Sequence, residues 1–456
     1  MRRVHHLRPD ILGGMDVDAV VIGAGAAGLA AARSLARRSM RVALLEARDR
    51  VGGRVWSRPL ADAATPLELG AEFIHGPAGL TMRVLREARL AAIDTGGEGW
   101  SCSEGGDLRR DDGEWSSIER IVEATDGLAG DESVDQFLRR FEEDEAAREA
   151  AKATRFFVEG FDAADPSVAS IRAFADEWLS GVDFAAARPV GGYQPMFDHL
   201  REACVAAGVQ IRLATVVRRI SWRRGFVAVD AIDANRRTAL QTVHARTAIV
   251  TLPVGVLRHS GDETAVVFDP DLPGAKVEAL RKIEMGHVIR VGLGFRTPFW
   301  ERVHDGRYRD ASFFRCERQV FPTHWTQMPL RSTLIIAWVG GPRAFRLRGI
   351  SEADVMERAL SSFGAALDAP ELAHDEFEDG LMHDWSRDPF ARGAYSYVTV
   401  GGAGARAALA APLEDTVFFA GEATATGGQS GTVDGALETG ERAAAEAAKS
   451  LAAGAR

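Results

Sequence analysis

The stretch from Asp18 to Ser57 places the strongest constraint on how this chain can fold. Ala19–Ile22 is a short apolar run that predicts a buried strand. The glycine-rich turn that follows has Gly23, Gly25 and Gly28 at the spacing GxGxxG, and the alanine-rich segment after it favours a helix. In such a turn the first glycine permits the tight bend, the second lets the backbone approach a pyrophosphate, and the third lets the helix lie close to the strand. The sequence therefore predicts a strand–turn–helix unit that binds the phosphates of a dinucleotide.

A second strand and a second glycine turn extend this unit. The run from Arg41 to Leu45 predicts a strand that ends at Glu46, where a carboxylate accepts hydrogen bonds from both hydroxyls of an adenosine ribose and repels a 2′-phosphate. Arg50 to Arg54 has the pattern RxGGR, in which two guanidinium groups beside glycines can neutralise a pyrophosphate. A purely structural turn is disfavoured, because strand, helix, second strand and terminal acid follow in the required order.

With this second turn the sequence resembles the FAD-dependent amine oxidase superfamily, which includes monoamine oxidases, polyamine oxidases, L-amino acid oxidases and histone lysine demethylases. The resemblance covers Asp16 to Ala452 and makes non-covalent FAD, rather than NAD, the expected cofactor. It implies an α/β fold, α+β overall, in which a Rossmann-like FAD-binding domain is interleaved with a substrate domain made of a β-sheet flanked by helices. The residues that it predicts to bind FAD are Gly23, Gly25, Ala26, Ala27, Gly28, Glu46, Ala47, Arg48, Gly53, Arg54, Gly70, Ala71, Glu72, Val217, Trp385, Gly421, Glu422, Thr432 and Val433.

The length of the chain predicts two domains, because 456 residues are too many for one compact core. We expect the FAD-binding domain to comprise residues 16–79, 188–260 and 386–456. The substrate-binding domain then comprises residues 80–187 and 261–385, and residues 1–15 form a disordered leader.

Charge and cysteine usage exclude several functions. The formal net charge of −10 argues against a surface for nucleic acid and is compatible with a cationic substrate. No apolar run is long enough to span a bilayer, which predicts that no membrane anchor is present.

Cys102, Cys204 and Cys316 have neither a metal-binding nor a redox spacing, so we expect reduced thiols, no metal site and a cytoplasmic protein. The oligomeric state stays open.

The segment from Leu67 to Gly76, LELGAEFIHG, resembles a segment of the spermine and acetylpolyamine oxidases in which the histidine faces the substrate near the flavin. The resemblance implies this position for His75. The alternative is a structural histidine in a glycine-flanked turn, and sequence alone does not make His75 a general base.

The chain then passes through both predicted domains. From Leu80 to about Phe184 the pattern predicts the helical half of the substrate domain, in which the acidic cluster from Glu142 to Glu145 is a solvated helix face. The glycine-rich turn from Arg188 to Tyr193 returns the chain to the FAD-binding domain. Val217 matches a family position whose backbone contacts the adenine. The alternative is a valine that serves only strand packing, and the sequence does not distinguish the two.

Arg290 departs from the family pattern. Gly286 to Arg290, followed by Phe299 and Trp300, resembles the pattern G-x-x-x-K…PFW, in which the lysine holds a water against flavin N5. Arginine stays charged but is bulkier and planar, so it is not an equivalent replacement. We expect either an altered reactivity with O2 or a different electron acceptor.

The C-terminal motifs resemble polyamine oxidases and histone demethylases more than monoamine oxidases. The pattern W-x-x-DP-x-x-RG-x-YSY begins at Trp385 and places Ala394 where monoamine oxidases carry a flavin-linking cysteine, so FAD is expected to be unlinked. Tyr395 matches one wall of an aromatic cage around the amine, and Thr432 stands where monoamine oxidases have the second wall. The helix predicted from Ala436 to Ala452 directs its N-terminus to the flavin C2 carbonyl.

Together these motifs predict an FAD-dependent oxidase of an amine, with a polyamine-type substrate favoured. In the expected reaction a hydride passes from the α C–H of the amine to flavin N5, water hydrolyses the imine, and O2 reoxidises the flavin and gives H2O2. The candidate catalytic residues are Arg290, Tyr395, His75 and Thr432.

Three alternatives stay open. An L-amino acid oxidase requires a guanidinium for the substrate carboxylate, which Arg290 is able to supply. A flavin dehydrogenase or desaturase with low O2 reactivity is supported by the same replacement of lysine by arginine. The third alternative is a non-catalytic flavin-binding protein. A histone demethylase is disfavoured, because the sequence has no inserted helical tower or reader domain.

Overall fold

The computed structural model describes residues 16–60, 63–102, 106–111, 116–180 and 186–453. The leader predicted at residues 1–15 lies outside the described residues. Within them, no helix is both long enough and apolar enough to cross a bilayer.

A five-stranded parallel sheet carries the first glycine turn. In spatial order its strands are Gln210–Arg212, Val42–Leu45, Ala19–Ile22, Thr247–Val250 and Val417–Phe419. Because side chains alternate along a strand, Ala19 and Val21 pack on helices while Val20 and Ile22 pack on a second sheet. Both faces are thus covered, as parallel sheets require.

The face opposite the helices is covered by a four-stranded sheet. Its strands are Val243–Ala245, Phe226–Asp233, Thr215–Arg223 and Val267–Asp269. The last of these strands lies beyond residue 260, where the sequence predicts that the substrate domain begins. It pairs in parallel with Thr215–Arg223, and the domain boundary at residue 260 stays a prediction.

A seven-stranded mixed sheet forms the other half of the molecule. Its strands, in order, are Phe377–Asp384, Val288–Phe295, Leu334–Gly340, Thr323–Trp325, Ala311–Arg315, Glu98–Cys102 and Leu108–Arg110. All of them fall within the two segments expected to form the substrate domain, while the domain division itself stays a prediction. Smaller sheets pair Ser57–Arg58 with Leu67–Glu68, Ile283–Met285 with Ser396–Val398, and Ala186–Pro189 with both Ile74–His75 and Ala92–Asp94.

The helices complete the mixed α/β architecture that the sequence predicts. The α-helices are Ala26–Ala36 (the first helix), Gly79–Glu87, Ser116–Glu123, Val134–Leu138, Glu145–Gly160, Ile171–Leu179, Gln194–Ala206, Val254–Leu257, Gly274–Arg281, Val303–Gly306, Gly341–Arg346, Glu352–Ala366, Pro370–Glu376, Ala405–Ala410 and Val433–Ala453 (the last helix). Short 3₁₀ turns are Arg139–Phe141, Phe299–Glu301 and Glu422–Thr424.

Two expectations for residues 80–184 are wrong. The region contains the strands Glu98–Cys102 and Leu108–Arg110, which form because Glu98–Cys102 pairs with the distant strand Ala311–Arg315, and local periodicity does not report such pairing. The acidic cluster is not a helix face: Glu142 and Glu143 lie in an exposed turn, and Asp144 caps the helix Glu145–Gly160 by accepting the Ala147 N–H at 3.1 Å.

The expectation of three reduced thiols is also wrong. Cys102 and Cys316 form a disulfide with a Cα–Cα distance of 4.9 Å, and only Cys204 of the three is a free, buried thiol. The pairing was not predictable from spacing, because 214 residues separate the two cysteines in the sequence and the strands that carry them meet only in the folded sheet.

Candidate functional site

A large cavity lies where the carboxyl ends of the parallel strands meet the seven-stranded sheet, and its volume is about 520 Å³. Its wall contains every residue that the sequence predicts to bind FAD, with the exception of Gly28, and all four candidate catalytic residues. Ligand sites in open parallel sheets commonly lie at this edge.

Gly28 does not line the cavity, but it supports the glycine turn that does. A Cβ at this position would lie 1.8 Å from the Gly23 carbonyl oxygen, so only glycine lets the first helix pack this closely on the turn. Gly25 and Gly53 are different, because they face the cavity and approach each other: a Cβ on Gly25 would be 3.9 Å from the Cα of Gly53. The two glycine turns, joined by a hydrogen bond from Gly52 N–H to Ala24 O at 2.9 Å, leave bare backbone for a close ligand.

Glu46 follows the strand Val42–Leu45 and is buried. Its two carboxylate oxygens accept the backbone N–H groups of Ala24 at 2.7 Å and Arg48 at 2.9 Å. Each oxygen keeps further acceptor capacity, which the ribose hydroxyls of a dinucleotide require. Ala47 and Arg48 continue the cavity wall, and Arg48 is held by Asp388 at 2.7 Å.

The two arginines of the second glycine turn have different functions. Arg54 lines the cavity and donates to Glu422 at 2.8 Å and to the Ala394 carbonyl at 2.7 Å. Arg50 instead donates to the carbonyls of Val51, Val55 and Gly53. The expectation that both guanidiniums face a pyrophosphate is therefore wrong for Arg50, which stabilises the turn from behind.

Glu422 connects three chain segments beside the cavity. Its second oxygen accepts Ser396 Oγ at 2.7 Å and the Gly431 N–H at 3.2 Å. Burial opposes its ionisation, but Arg54 and Arg406 outweigh burial and hold the pKa of Glu422 below its usual range. The carboxylate therefore stays charged and fixes Arg54.

Gly70 and Val217 shape two further parts of the wall. A Cβ on Gly70 would lie 1.9 Å from the Arg54 carbonyl oxygen, and the Trp385 indole packs there while donating to Leu69 O at 2.8 Å. Val217 is buried at a register shift between two strands of the four-stranded sheet, and such a bulge redirects the backbone toward the cavity.

The last helix begins at Val433, three residues earlier than the sequence predicts. Thr432 caps it, because its hydroxyl accepts the Gly435 N–H at 3.0 Å. The hydroxyl of Thr432 therefore serves as the helix cap. The first N–H groups of the helix lie at the cavity wall. This arrangement favours a ligand atom with negative character.

The aromatic wall is larger than the sequence predicts. Tyr395 lines the cavity and its hydroxyl donates to the Phe161 carbonyl, which leaves its ring as the exposed face. The sequence did not single out the further aromatic lining residues Phe156, Phe157, Phe161, Phe174, Phe313, Trp325, Trp338, Phe390 and Tyr397. Phe390 and Tyr397 lie within the motif that begins at Trp385, whereas the other seven come from five separate stretches of chain that no local motif joins.

His75 lies in this aromatic region, 5.3 Å from the Phe161 ring. Burial lowers the pKa of His75 to about 4, so the imidazole is neutral at physiological pH, and its Nδ1 has no hydrogen-bond partner among the described residues. A neutral imidazole of such low basicity is a poor general base at neutral pH.

Arg290 is almost fully buried, with 2% of its surface exposed. Its Nη1 donates to Gly70 O at 2.7 Å, its Nη2 donates to Glu72, and its guanidinium lies 5.1 Å from the Trp325 ring. Burial lowers the pKa of Arg290 to about 9, so the group stays protonated at neutral pH beside the carboxylate of Glu72.

Two acids in the cavity wall were missed by the sequence analysis. Asp162 follows the helix Glu145–Gly160, and Glu177 lies on the helix Ile171–Leu179. Burial raises the pKa of both carboxyls, and the charge of Glu177 raises that of Asp162 further. Ser430 donates to Glu177 at 3.1 Å. No signal in the sequence identifies this pair, because Asp162 follows one helix, Glu177 lies on another, and both are outside any motif.

The residues present fit FAD. The bare glycine turns suit a pyrophosphate, Glu46 suits an adenosine ribose, and the N-terminus of the last helix, at Val433, faces the same cavity. Ala394, beside Tyr395, has no thiol with which to form a covalent link.

Comparison with known proteins identifies the family of the chain. The family model described as flavin containing amine oxidoreductase matches residues 26–448. Polyamine oxidase 3 of Oryza sativa subsp. japonica is 28% identical over 465 residues, which cover 94% of this chain and 88% of that protein. Lysine-specific histone demethylase 1 homolog 2 of the same organism is 27% identical over 96% of this chain, which spans 58% of the demethylase.

Solved structures have the same fold. Putrescine oxidase bound to putrescine superposes with a TM-score of 0.78 at 22% identity, over 95% of this chain and 99% of that one. Cyclohexylamine oxidase from Brevibacterium oxydans IH-35A gives a TM-score of 0.78 at 22% identity, over 96% and 100% of the two chains. With the family model matched over most of its length, the chain belongs to the flavin-containing amine oxidoreductases, and its cofactor is FAD.

Proposed function

We propose that the protein is an oxidase of diamines or polyamines that passes the electrons to O2. The observation that carries this proposal is the pair Asp162 and Glu177 in the same cavity as the aromatic wall around Tyr395. A substrate with two ammonium groups places one amine, deprotonated, against the aromatic wall and the other, charged, at the acid pair.

The acid pair is suited to a cation because its own ionisation is disfavoured. Asp162 has no hydrogen-bond donor among the described residues, and its pKa is raised by burial and by the charge of Glu177. An incoming ammonium takes the place of the proton and removes the repulsion between the two carboxylates. Binding of a diamine at this pair should therefore strengthen as the pH rises.

The cationic groups of the cavity do not favour a carboxylate substrate. Arg54 is paired with Glu422, Arg290 with Glu72, and Arg315 with Asp111. Arg48 is paired with Asp388 and Glu46. Arg406 uses its donors on Ser396 and the Ala423 carbonyl. Since an L-amino acid needs a guanidinium for its carboxylate, these contacts disfavour the amino acid oxidase.

The residues of the chain orient and desolvate the amine. FAD, when bound, supplies the hydride acceptor for the C–H bond beside the nitrogen and passes the electrons to O2. The Tyr395 ring steers the amine through its π face, and the buried aromatic wall favours the uncharged form of that amine. Water then hydrolyses the imine to an aldehyde without a dedicated protein base, in keeping with the neutral state of His75.

An anaerobic bleaching screen tests the substrate class. The yellow holoenzyme is mixed without oxygen with putrescine, spermidine, benzylamine, a dimethyl-lysine peptide and L-leucine, and the loss of flavin absorbance is recorded. We expect putrescine or spermidine to bleach the flavin at the highest rate. Bleaching by L-leucine or the peptide alone would contradict the proposal, and no bleaching by any compound would favour a non-catalytic flavoprotein.

A second candidate, a flavin dehydrogenase with low O2 reactivity, is favoured by one observation, the pairing of Arg290 with Glu72. Reoxidation of photoreduced enzyme in air distinguishes the two candidates. Recovery of the yellow colour within seconds supports the oxidase, whereas recovery over many minutes supports the dehydrogenase.

A further inference from the structure

Glu72 is the centre of a buried polar network beside the cavity. Its carboxylate accepts from Arg188 Nε at 2.6 Å, from Trp325 Nε1 at 3.0 Å, from Gln327 Nε2 at 3.3 Å and from Arg290. Only 4% of its surface is exposed. A carboxylate has about four acceptor sites, so these four side chains use the full capacity of Glu72.

The network leaves one nitrogen of Arg290 without a hydrogen-bond partner among the described residues. Its two terminal nitrogens are bonded to Gly70 O and Glu72, whereas its Nε is buried and has no partner among the described residues. Held from two sides and stacked near Trp325, the guanidinium cannot swing as a lysine side chain can.

Arg290 lies on the side of the cavity where the flavin ring is expected. Glu46 belongs to the parallel sheet and fixes the adenosine end, whereas Arg290 belongs to the seven-stranded sheet on the opposite side, together with Trp325 and Trp338. An elongated dinucleotide that starts at Glu46 therefore directs its ring toward Arg290.

We propose that Glu72 is a positioning residue that fixes Arg290 and offsets its charge, and thereby lowers the reduction potential of the bound FAD. A flavin that accepts electrons gains negative charge, which a nearby cation stabilises. Among Arg290, Arg188 and Glu72 the formal charges sum to +1. Without Glu72 the sum is +2, and without the guanidinium of Arg290 it is zero. The proposal rests on FAD occupying this cavity, as the proposed function does, but not on the identity of the amine.

The test uses the holoenzyme of Glu72→Gln, Arg290→Gln and the double variant. The reduction potential is measured against redox dyes, and the affinity for sulfite is measured by absorbance, because sulfite adds to oxidised flavin and leaves a negative charge. We expect Glu72→Gln to raise the potential and to lower the Kd for sulfite about tenfold, since a buried charge interacts strongly with its neighbours. Arg290→Gln should move both quantities in the opposite direction, and the double variant should return both close to the wild-type values.

Asp111→Asn is the matched control, because it removes the carboxylate beside Arg315, another arginine of the cavity wall. It should leave the sulfite affinity unchanged. Equal potentials in all variants with FAD bound at full occupancy would overturn the proposal, as would an equal effect of Asp111→Asn. If Glu72→Gln does not fold, because removal of one partner exposes a buried charge, Arg290→Gln and the double variant still decide the question through the opposite shift and its reversal. Dyes and sulfite give these results whichever amine is oxidised, so failure of the amine assignment is detected separately.

Discussion

At the scale of single residues, function depends on which charges in the cavity already have an opposite charge beside them. Arg54 and Arg290 are paired with Glu422 and Glu72, which makes them parts of the scaffold around the cofactor. Burial raises the pKa of both Asp162 and Glu177, and the charge of Glu177 raises that of Asp162 further. In the proposed function this pair is therefore the site for the positive charge of a substrate.

Asp162→Asn should lower kcat/KM for diamines but not for monoamines. Loss of a hydrogen bond to a charged group costs about 1.5–3 kcal/mol, so kcat/KM for putrescine should fall by about ten- to a hundredfold while that for butylamine changes little. Asp176→Asn, an exposed acid next to Glu177, is the control and should leave both values unchanged. An equal loss for both amines in steady-state kinetics would refute the assignment.

The same variant should not destabilise the protein. The pKa of Asp162 is raised in the folded state, so its ionisation above the usual carboxyl pKa reduces stability, and an uncharged Asn removes that penalty. At pH 8 the Tm of Asp162→Asn should equal or exceed that of the wild type. A lower Tm would mean that Asp162 is primarily structural.

His75 should make stability depend on pH in acid. Its folded-state pKa is about 4, below the ordinary value of 6.5. The unfolded chain therefore binds one more proton between these values, and stability is lost as the pH falls from 6.5 to 4. The free energy of unfolding of the wild type should fall more steeply than that of His75→Gln, by about 1.4 kcal/mol per pH unit. The free energies are measured by urea denaturation between pH 6.5 and 4. The same pH dependence in the wild type and in His75→Gln would contradict the low pKa of His75.

At the scale of secondary-structure elements, the first and last helices position the N-termini that face the cofactor. They cross closely at Gly440, where a Cβ would lie 2.2 Å from the Ala27 carbonyl oxygen. The contact joins the helix that follows the first glycine turn to the helix capped by Thr432. A small shift between the two helices therefore moves two parts of the cavity wall together.

Gly440→Ala should lower stability and weaken FAD binding. Overpacking typically costs about 1–3 kcal/mol, which exceeds the gain of about 1 kcal/mol from replacing glycine in a helix. Glu438→Ala, at an exposed position of the same helix, is the control and should change neither property. Thermal denaturation and FAD titration measure the two effects, and an unchanged Tm for Gly440→Ala would show that the helices adjust without cost.

Elements with a local pattern are predictable from the sequence, whereas elements that depend on a distant partner are not. The strand Ala19–Ile22 has the expected bounds, because its pattern is local. The strand Glu98–Cys102 was missed because it depends on a partner more than two hundred residues away. For the same reason the sequence placed Glu72 and Arg290 in the site separately but not as a pair.

At the scale of the whole molecule, the cavity is built from both halves of the chain. The parallel sheet contributes the glycine turns and Glu46, and the seven-stranded sheet contributes Arg290, Trp325 and Trp338. Residues of both sheets line the cavity, so we expect cofactor and substrate to bind where the two sheets meet. Asp162 and Glu177 also line this cavity, and in the proposed function they bind the charged amine of the substrate.

The most direct measurement of the central claim compares putrescine with butylamine, which has the same carbon chain but one ammonium fewer. In anaerobic stopped-flow mixing, the rate constant for flavin bleaching divided by the apparent Kd should be at least tenfold higher for putrescine than for butylamine. The advantage should disappear in the double variant Asp162→Asn, Glu177→Gln. Equal values for the two amines in the wild type, or an advantage that survives in the double variant, would contradict the account.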